Sequence, residues 1–411
     1  MTATLLIVVA AYYGSTVPVL SNWIGTHFGV AAGAIGVLFA AQSLGALLGA
    51  VPAGVLLDTK GARFTIVAGS VGLLVAYTVL AVARSFPLFW IAAVLWAVAY
   101  TMVGLAVPFY LLMLRPAWAR RSFALGLVSS SAPGLVFPIM AERMLVAERT
   151  SLLVRLPPAI IAAATGLAAI AFATRLFSGR QSGEAPGAGA SIGETAGGAV
   201  RPARRGPLRS FLRQVGPAMR LPRFWVFFVL SFLHGTADTF IHNWYPRFMR
   251  GTFDVLPIRP GVVLTLFSVA YVVSRVLLMI LPDNFARRGL LVAPGLIGGT
   301  ILFVGLQSSS PIIAAVSYPL AAFFWSWEMP SLLAEANRSF PHAMGTFQTI
   351  AHTVSYAMGI AFHSAAGFVV EVGVPLRLIL TGFALFYIAF GVTAGIGLRD
   401  QRTASVGTRG G

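Results

Sequence analysis

"GVLLDTKGARF", Gly54 to Phe64, sets one carboxylate and two cations around two glycines. On either side the chain runs apolar for about twenty residues, the length of helix that crosses a ~30 Å hydrocarbon core. Such runs recur along all 411 residues, of which 57% are hydrophobic and only 10% charged. A soluble globular protein carries about 25% charged residues, so the chain reads as an integral membrane protein. Lipid cannot satisfy open backbone groups, and each run must therefore be helical. Asp58, Lys60 and Arg63 then occupy a polar turn between two spans.

Hydropathy places twelve helices at 4–24, 31–54, 64–83, 87–112, 122–143, 151–174, 224–246, 260–281, 289–306, 311–334, 343–370 and 376–398. The one long break divides them six and six. Residues 1–174 are expected to form a first six-helix bundle and 224–398 a second. Between them lies a linker, 175–223, and after them a tail, 399–411. The linker holds the Gly/Ala/Ser-rich "SGEAPGAGASIGETAGGAV", a flexible composition. Beyond it, Leu208, Phe211, Leu212 and Val215 share one helical face, with Arg209 and Arg213 between them. That pattern is either a short amphipathic helix on an anionic leaflet or an unstructured basic segment. The first apolar run begins beside Met1 without a basic flank and reads as a span rather than a cleaved leader.

The formal charge is +17, from 29 basic and 12 acidic residues. The basic residues are scattered between spans rather than gathered on one face, which argues against nucleic acid. Cytoplasmic loops of membrane proteins collect such charge. With Met1 inside, the inner loops hold Lys60, Arg63, Arg115, Arg120, Arg121, Arg287, Arg288, Arg338 and the linker arginines, so both termini are expected in the cytoplasm. Arginine predominates, Lys60 being the lone lysine, a bias of GC-rich bacterial genomes that suggests a bacterial inner membrane. With 0 cysteines, disulfides and thiolate metal sites are excluded. No phosphate-binding P-loop is present, and no cofactor is expected.

The two halves echo each other. "LLDTKGAR" after the second span has a counterpart in "LPDNFARR" after the eighth, aligning Asp58 with Asp283 and Arg63 with Arg288. Parallel repeats of six spans are one of the internal symmetries of transporters. Gly54-x-Leu56-x-Asp58-x-x-Gly61-x-Arg63 resembles the loop signature of the major facilitator superfamily, and the second copy, with Asp283, Arg287 and Arg288, is similar to its degenerate repeat. Thr59 and Ala62 stand where that family often has basic residues. The resemblance implies an all-α fold of twelve transmembrane helices in two pseudo-symmetric six-helix bundles, and transport by alternating access. The loop's physics agrees: Gly54 permits close helix packing, Gly61 a tight turn, and Asp58 a contact with Arg63 or a helix N-terminus that makes or breaks a gate.

A narrower stretch, Arg120 to Gly134, is similar to the fifth span of monocarboxylate-transporter-like members. Ser274 to Arg288 resembles their eighth. In that register Arg275 falls on the arginine that binds the substrate carboxylate.

A charge inside a span is costly and reads as functional by default. Arg275 stays ionised and presents a fork suited to carboxylate; the alternative is an ion pair with Asp238 or a snorkelling side chain. In "HGTADTFIH", His234, Asp238 and His242 recur every four residues and share one helix face. A carboxylate between two imidazoles can relay a proton, or the face can simply line a wet cavity. Two histidines eight apart cannot meet at one metal ion. Glu328, in "FFWSWEMPS", is a second candidate coupling acid. In the eleventh span Gln348, His352 and Tyr356 share a face, with His363 farther along. They contact either substrate or neighbouring helices. Tyr13 is the repeat partner of Asp238 and is expected to face the cavity. Trp23, Trp244 and Tyr245 read as interface anchors, and Pro133, Gly134 and Pro138 as bends. The expected function is proton-coupled secondary transport of a small organic anion, monocarboxylate-like, by a monomer whose other partners are protons and membrane lipids. The alternative is an exporter of amphipathic compounds. No enzymatic chemistry is expected.

Overall fold

The computed structural model describes residues 2–114, 119–147, 150–181, 219–282, 288–339 and 344–398. Among these residues the only regular elements are helices. Twelve spans are long and apolar enough to cross a membrane: Leu5–Phe28, Ala32–Leu57, Thr59–Val82, Phe86–Leu111, Ala124–Val146, Leu156–Thr174, Pro222–Thr252, Pro260–Ile280, Gly289–Gln307, Pro311–Ala336, Thr353–Glu371 and Leu376–Gly397. They are numbered first to twelfth below. The linker side is the one on which the sixth span ends and the seventh begins, and the far side is its opposite. The amphipathic segment around Leu208 lies outside the described residues, as do Asp283 and Arg287.

Lipid tails are as apolar as leucine, so helices associate here by close packing rather than by escape from water. Small residues make that approach possible. The second span lies on the fourth at Gly45 and Gly49, where an added Cβ would run into Ala97 at 2.7 Å and the Val98 carbonyl at 2.6 Å. Glycines bring a second pair of helices together in the other bundle, the ninth and twelfth spans. A Cβ at Gly295 would meet the Tyr387 carbonyl at 2.7 Å, and one at Gly299 the Ile388 amide at 2.8 Å. Gly54, expected to serve such packing, lies in the same helix and is partly exposed.

The opening stretch is nearly all helix. From Ala32 to Val82 the backbone is helical except at Gly61, with φ 83° and ψ 169°. Only glycine takes that conformation without strain. The turn between the second and third spans is thus one residue wide, at the glycine expected to permit it. Arg63 is exposed beyond it. In the repeat, Arg288 donates to the Gly395 carbonyl at the end of the twelfth span, a cation on the negative end of a helix.

Three spans are interrupted. The first breaks at Ala11, where the Ala10 carbonyl accepts from Tyr77 Oη and Trp96 Nε1, each at 2.7 Å. The fifth passes through a 3-10 turn, Ala132–Leu135, at the expected Pro133-Gly134 bend, and Pro138 opens the next helix. The tenth turns between Trp325 and Glu328. The seventh runs on past Pro246 to Thr252, which corrects the reading of Trp244 and Tyr245 as membrane-interface anchors. Both are 0% exposed, with Trp244 Nε1 donating to His363 Nδ1 at 3.0 Å and Tyr245 Oη to the Ala314 carbonyl at 2.5 Å.

Candidate functional site

Arg275 lies within the last two turns of the eighth span and is 4% exposed. It faces the other bundle, not lipid. One terminal nitrogen donates to the Leu127 carbonyl and to Ser131 Oγ of the fifth span, both at 2.8 Å. Those acceptors precede the 3-10 turn of that span. The guanidinium carbon sits 4.2 Å from the centroid of the Tyr271 ring, a cation–π contact one helical turn away on the same span. Its Nε is buried without a hydrogen-bond partner. Among the described residues Arg275 enters no ion pair, so the alternative of a direct bridge to Asp238 is not the arrangement found.

Tyr271 stands between the two charges instead. Its hydroxyl donates to Asp238 Oδ1 and accepts from Trp325 Nε1 at 2.6 Å. Tyr387 Oη reaches the same carboxylate oxygen at 3.4 Å, and its ring stacks on Trp325 with centroids 4.1 Å apart. A cation, an aromatic hydroxyl and a carboxylate are thereby joined from the bundle interface into the second bundle.

The three residues spaced by four on the seventh span do share a face, but each turns to a different neighbour. His234 Nδ1 is 2.7 Å from Glu328 Oε2, with both side chains buried. Glu328 opens the helix after the break in the tenth span, and its Oε1 is buried without a partner. His242 reaches the Gly14 backbone of the first span, with Tyr318 Oη 3.5 Å from its Nδ1. No hydrogen bond runs directly among His234, Asp238 and His242, because Glu328, Tyr271 and Tyr318 on other helices engage them one by one. Tyr387 links the first two: its ring packs edge-on to His234 at 5.8 Å.

Tyr356 approaches this cluster from the eleventh span, reaching Thr101 of the fourth. Tyr100, beside Ser130, is close enough to both Tyr356 and Arg275 to interact with them electrostatically. Tyr13 does not join them. Its ring packs at 4.8 Å from Trp96 and 6.0 Å from Phe89, inside the first bundle, with its hydroxyl unpartnered. The side chains of Asp58, Gln348 and His352 lie outside the described ones. His363 is fully buried and stacks on Phe240. Sequence reasoning missed Tyr271, Tyr387, Trp325, Tyr100 and Ser131. Tyr271 carried one available signal, its spacing of four from Arg275.

A family model described as Major Facilitator Superfamily matches residues 2–363. The chain belongs to the major facilitator superfamily. Comparison with curated proteins finds no match. Among solved structures this facilitator resembles the E. coli fucose:proton symporter FucP, with a TM-score of 0.67 at 15% identity over 97% of this chain and 98% of that one. It also resembles the nucleoside transporter NupG, with a TM-score of 0.65 at 12% identity over 97% and 99%. The human organic anion transporter MFSD10 (TETRAN) gives 0.64 at 15% identity over 96% and 97%. At such identities the likeness carries the fold, and the twelve spans of this facilitator make it a multi-pass membrane transporter.

Proposed function

We propose that this facilitator is a proton-coupled secondary transporter of a small organic anion, monocarboxylate-like, working by alternating access. The observation that carries the reading is Arg275: a guanidinium buried between the bundles, held by a carbonyl, a hydroxyl and an aromatic face, with its Nε buried and unpartnered. An ionised side chain so placed is costly unless its charge is used. A substrate carboxylate supplies the missing partner and the second hydrogen bond of a fork. MFSD10, a fold relative, is described as an organic anion transporter, which is compatible with that chemistry.

The proton is assigned to Glu328 with His234, and to Asp238 beside them. Protonation of Asp238 weakens its hold on Tyr271 and so changes the ring on which Arg275 rests. Tyr356 and Tyr100 close the substrate side of the cluster, and Ser131 orients the guanidinium. The protein is read as a monomer of the bacterial inner membrane with both termini cytoplasmic.

A competing reading, export of amphipathic compounds, is favoured by the aromatic wall of Phe267, Tyr271, Tyr318, Trp325 and Tyr387. Uptake of a labelled small carboxylate into proteoliposomes, with and without an acid-outside gradient, separates the two. Accumulation that follows the gradient supports anion symport. Binding of carboxylate unchanged by Arg275→Gln overturns it.

A further inference from the structure

Two carboxylates hold the bundles together on the far side in the same way. Glu142, near the far end of the fifth span, accepts from the Gly261 amide at 3.1 Å. Gly261 is the second residue of the eighth span, whose helix begins at Pro260. Glu371, at the far end of the eleventh span, accepts from the Gly33 amide at 3.1 Å. Gly33 is the second residue of the helix that begins at Ala32. The fifth span corresponds to the eleventh in the six-span repeat, and the second to the eighth. The two contacts are therefore one interaction made twice across the pseudo-symmetry axis.

Each joins one bundle to the other. Each also sets a negative charge on the unpaired amides and positive dipole end of a helix. Glycine at the amide position makes room for the carboxylate in both. A Cβ on Gly33 would meet Glu371 Oε2 at 2.7 Å, and one on Gly261 would meet Glu142 Cβ at 2.7 Å and the Pro138 carbonyl at 2.5 Å. Behind Gly33, a Cβ at Gly36 would meet the His363 carbonyl at 2.5 Å, so the backbones themselves touch. Glu142 carries an added tie. Arg250, near the end of the seventh span, pairs with its Oε2 at 2.8 Å and donates to the Val19 carbonyl of the first span at 2.9 Å. The pair borders a cleft of about 330 Å³ between Asn22, Trp23, Thr26 and Leu145.

We infer that Glu142 and Glu371 are twin latches that keep the far side shut, and that both must leave their helix ends before that side opens. The inference rests on alternating access between two bundles but not on the substrate or the coupling ion. With 0 native cysteines, spin labels can be placed without background. Val82 (60% exposed) and Val255 (76% exposed) mark the far side of opposite bundles, and Phe64 (41%) with Ile280 (70%) the linker side.

Distances between these labels are measured in nanodiscs without substrate or pH gradient. Glu142→Gln/Glu371→Gln raises the far-side-open population about tenfold, the scale of two such helix-end charges, and shortens the linker-side distance in step. Gly33→Ala, which displaces Glu371 without altering it, moves the far-side distance the same way and serves alone if the double variant does not fold. Wild-type distances that move with added lactate or a drop in pH yet ignore the latch variants overturn the latches and leave transport intact. Distances that never move overturn the latches and two-bundle motion together.

Discussion

At the scale of single residues, Arg275 and Glu328 carry separable tasks. Arg275→Gln removes the charge that a carboxylate would meet. The expected result is a loss of small-carboxylate affinity of at least about thirtyfold, since truncating a buried charge pair costs about 2–5 kcal/mol. Arg275→Lys recovers only part of it, a point charge in place of a fork. Titration calorimetry on purified protein reads both. Glu328→Gln keeps the shape and one hydrogen-bonding oxygen toward His234, but cannot take up a proton. Substrate exchange between proteoliposomes and medium should persist while proton-driven accumulation is lost. His234→Ala leaves the Glu328 carboxyl without its buried hydrogen-bond partner, a loss that costs about 1–3 kcal/mol. A lowered thermal midpoint in detergent, rescued by adding Glu328→Gln, checks it. Arg275 and Glu328 stood out in the sequence because charge is rare in an apolar span. Their partners did not, because Tyr271, Tyr387 and Trp325 are unremarkable residues until three helices bring them to one carboxylate.

At the scale of elements, the decisive features are a one-residue turn and close helix contacts. Gly61→Ala forces a Cβ into φ 83° and ψ 169°, a region open essentially to glycine alone that costs an L-residue about 1–3 kcal/mol. Thermal unfolding should shift down by that amount although nothing lies within 4 Å of the new methyl group. Gly45→Val instead meets the fourth span in the first bundle. Overpacking of this kind costs about 1–3 kcal/mol, and the loss should exceed that of Gly104→Val, whose position has open space. Span number and approximate ends were legible, because hydropathy and a twenty-residue length are local properties. The breaks at Ala11 and Trp325–Glu328 were not. Each depends on side chains from other helices that accept or replace the freed backbone bonds, as Tyr77 and Trp96 do at Ala10.

At the scale of the whole molecule, the two bundles meet through the second and eleventh spans and through the fifth and eighth. Backbone approach at Gly33 and Gly36, the Arg275 bonds to Leu127 and Ser131, and the Arg250–Glu142 pair span that interface. Such contacts do not need a covalent connection. Co-expressed halves divided between Gln181 and Met219 should co-purify from membranes and regain ligand binding; recovery of each half alone would show the interface too weak to hold. The repeated loop signature made the two-bundle plan readable in advance. Which faces of the bundles touch was not, since every span is apolar on most sides and no polar–apolar boundary marks its partner.

The sequence by itself determined the class of the molecule. Its scarcity of charge demands lipid, unbroken apolar runs of about twenty residues in lipid demand helices, and twelve such runs divided by one break demand two sets of six. It also marked the few charges whose burial needs a reason. Only the tertiary structure decided the company those charges keep: His234 with Glu328, Asp238 with two tyrosines, Tyr13 turned away into its own bundle. The physical reason is that hydropathy is a property of a segment. A hydrogen bond belongs instead to two atoms, whose meeting is set by helices far apart in the chain.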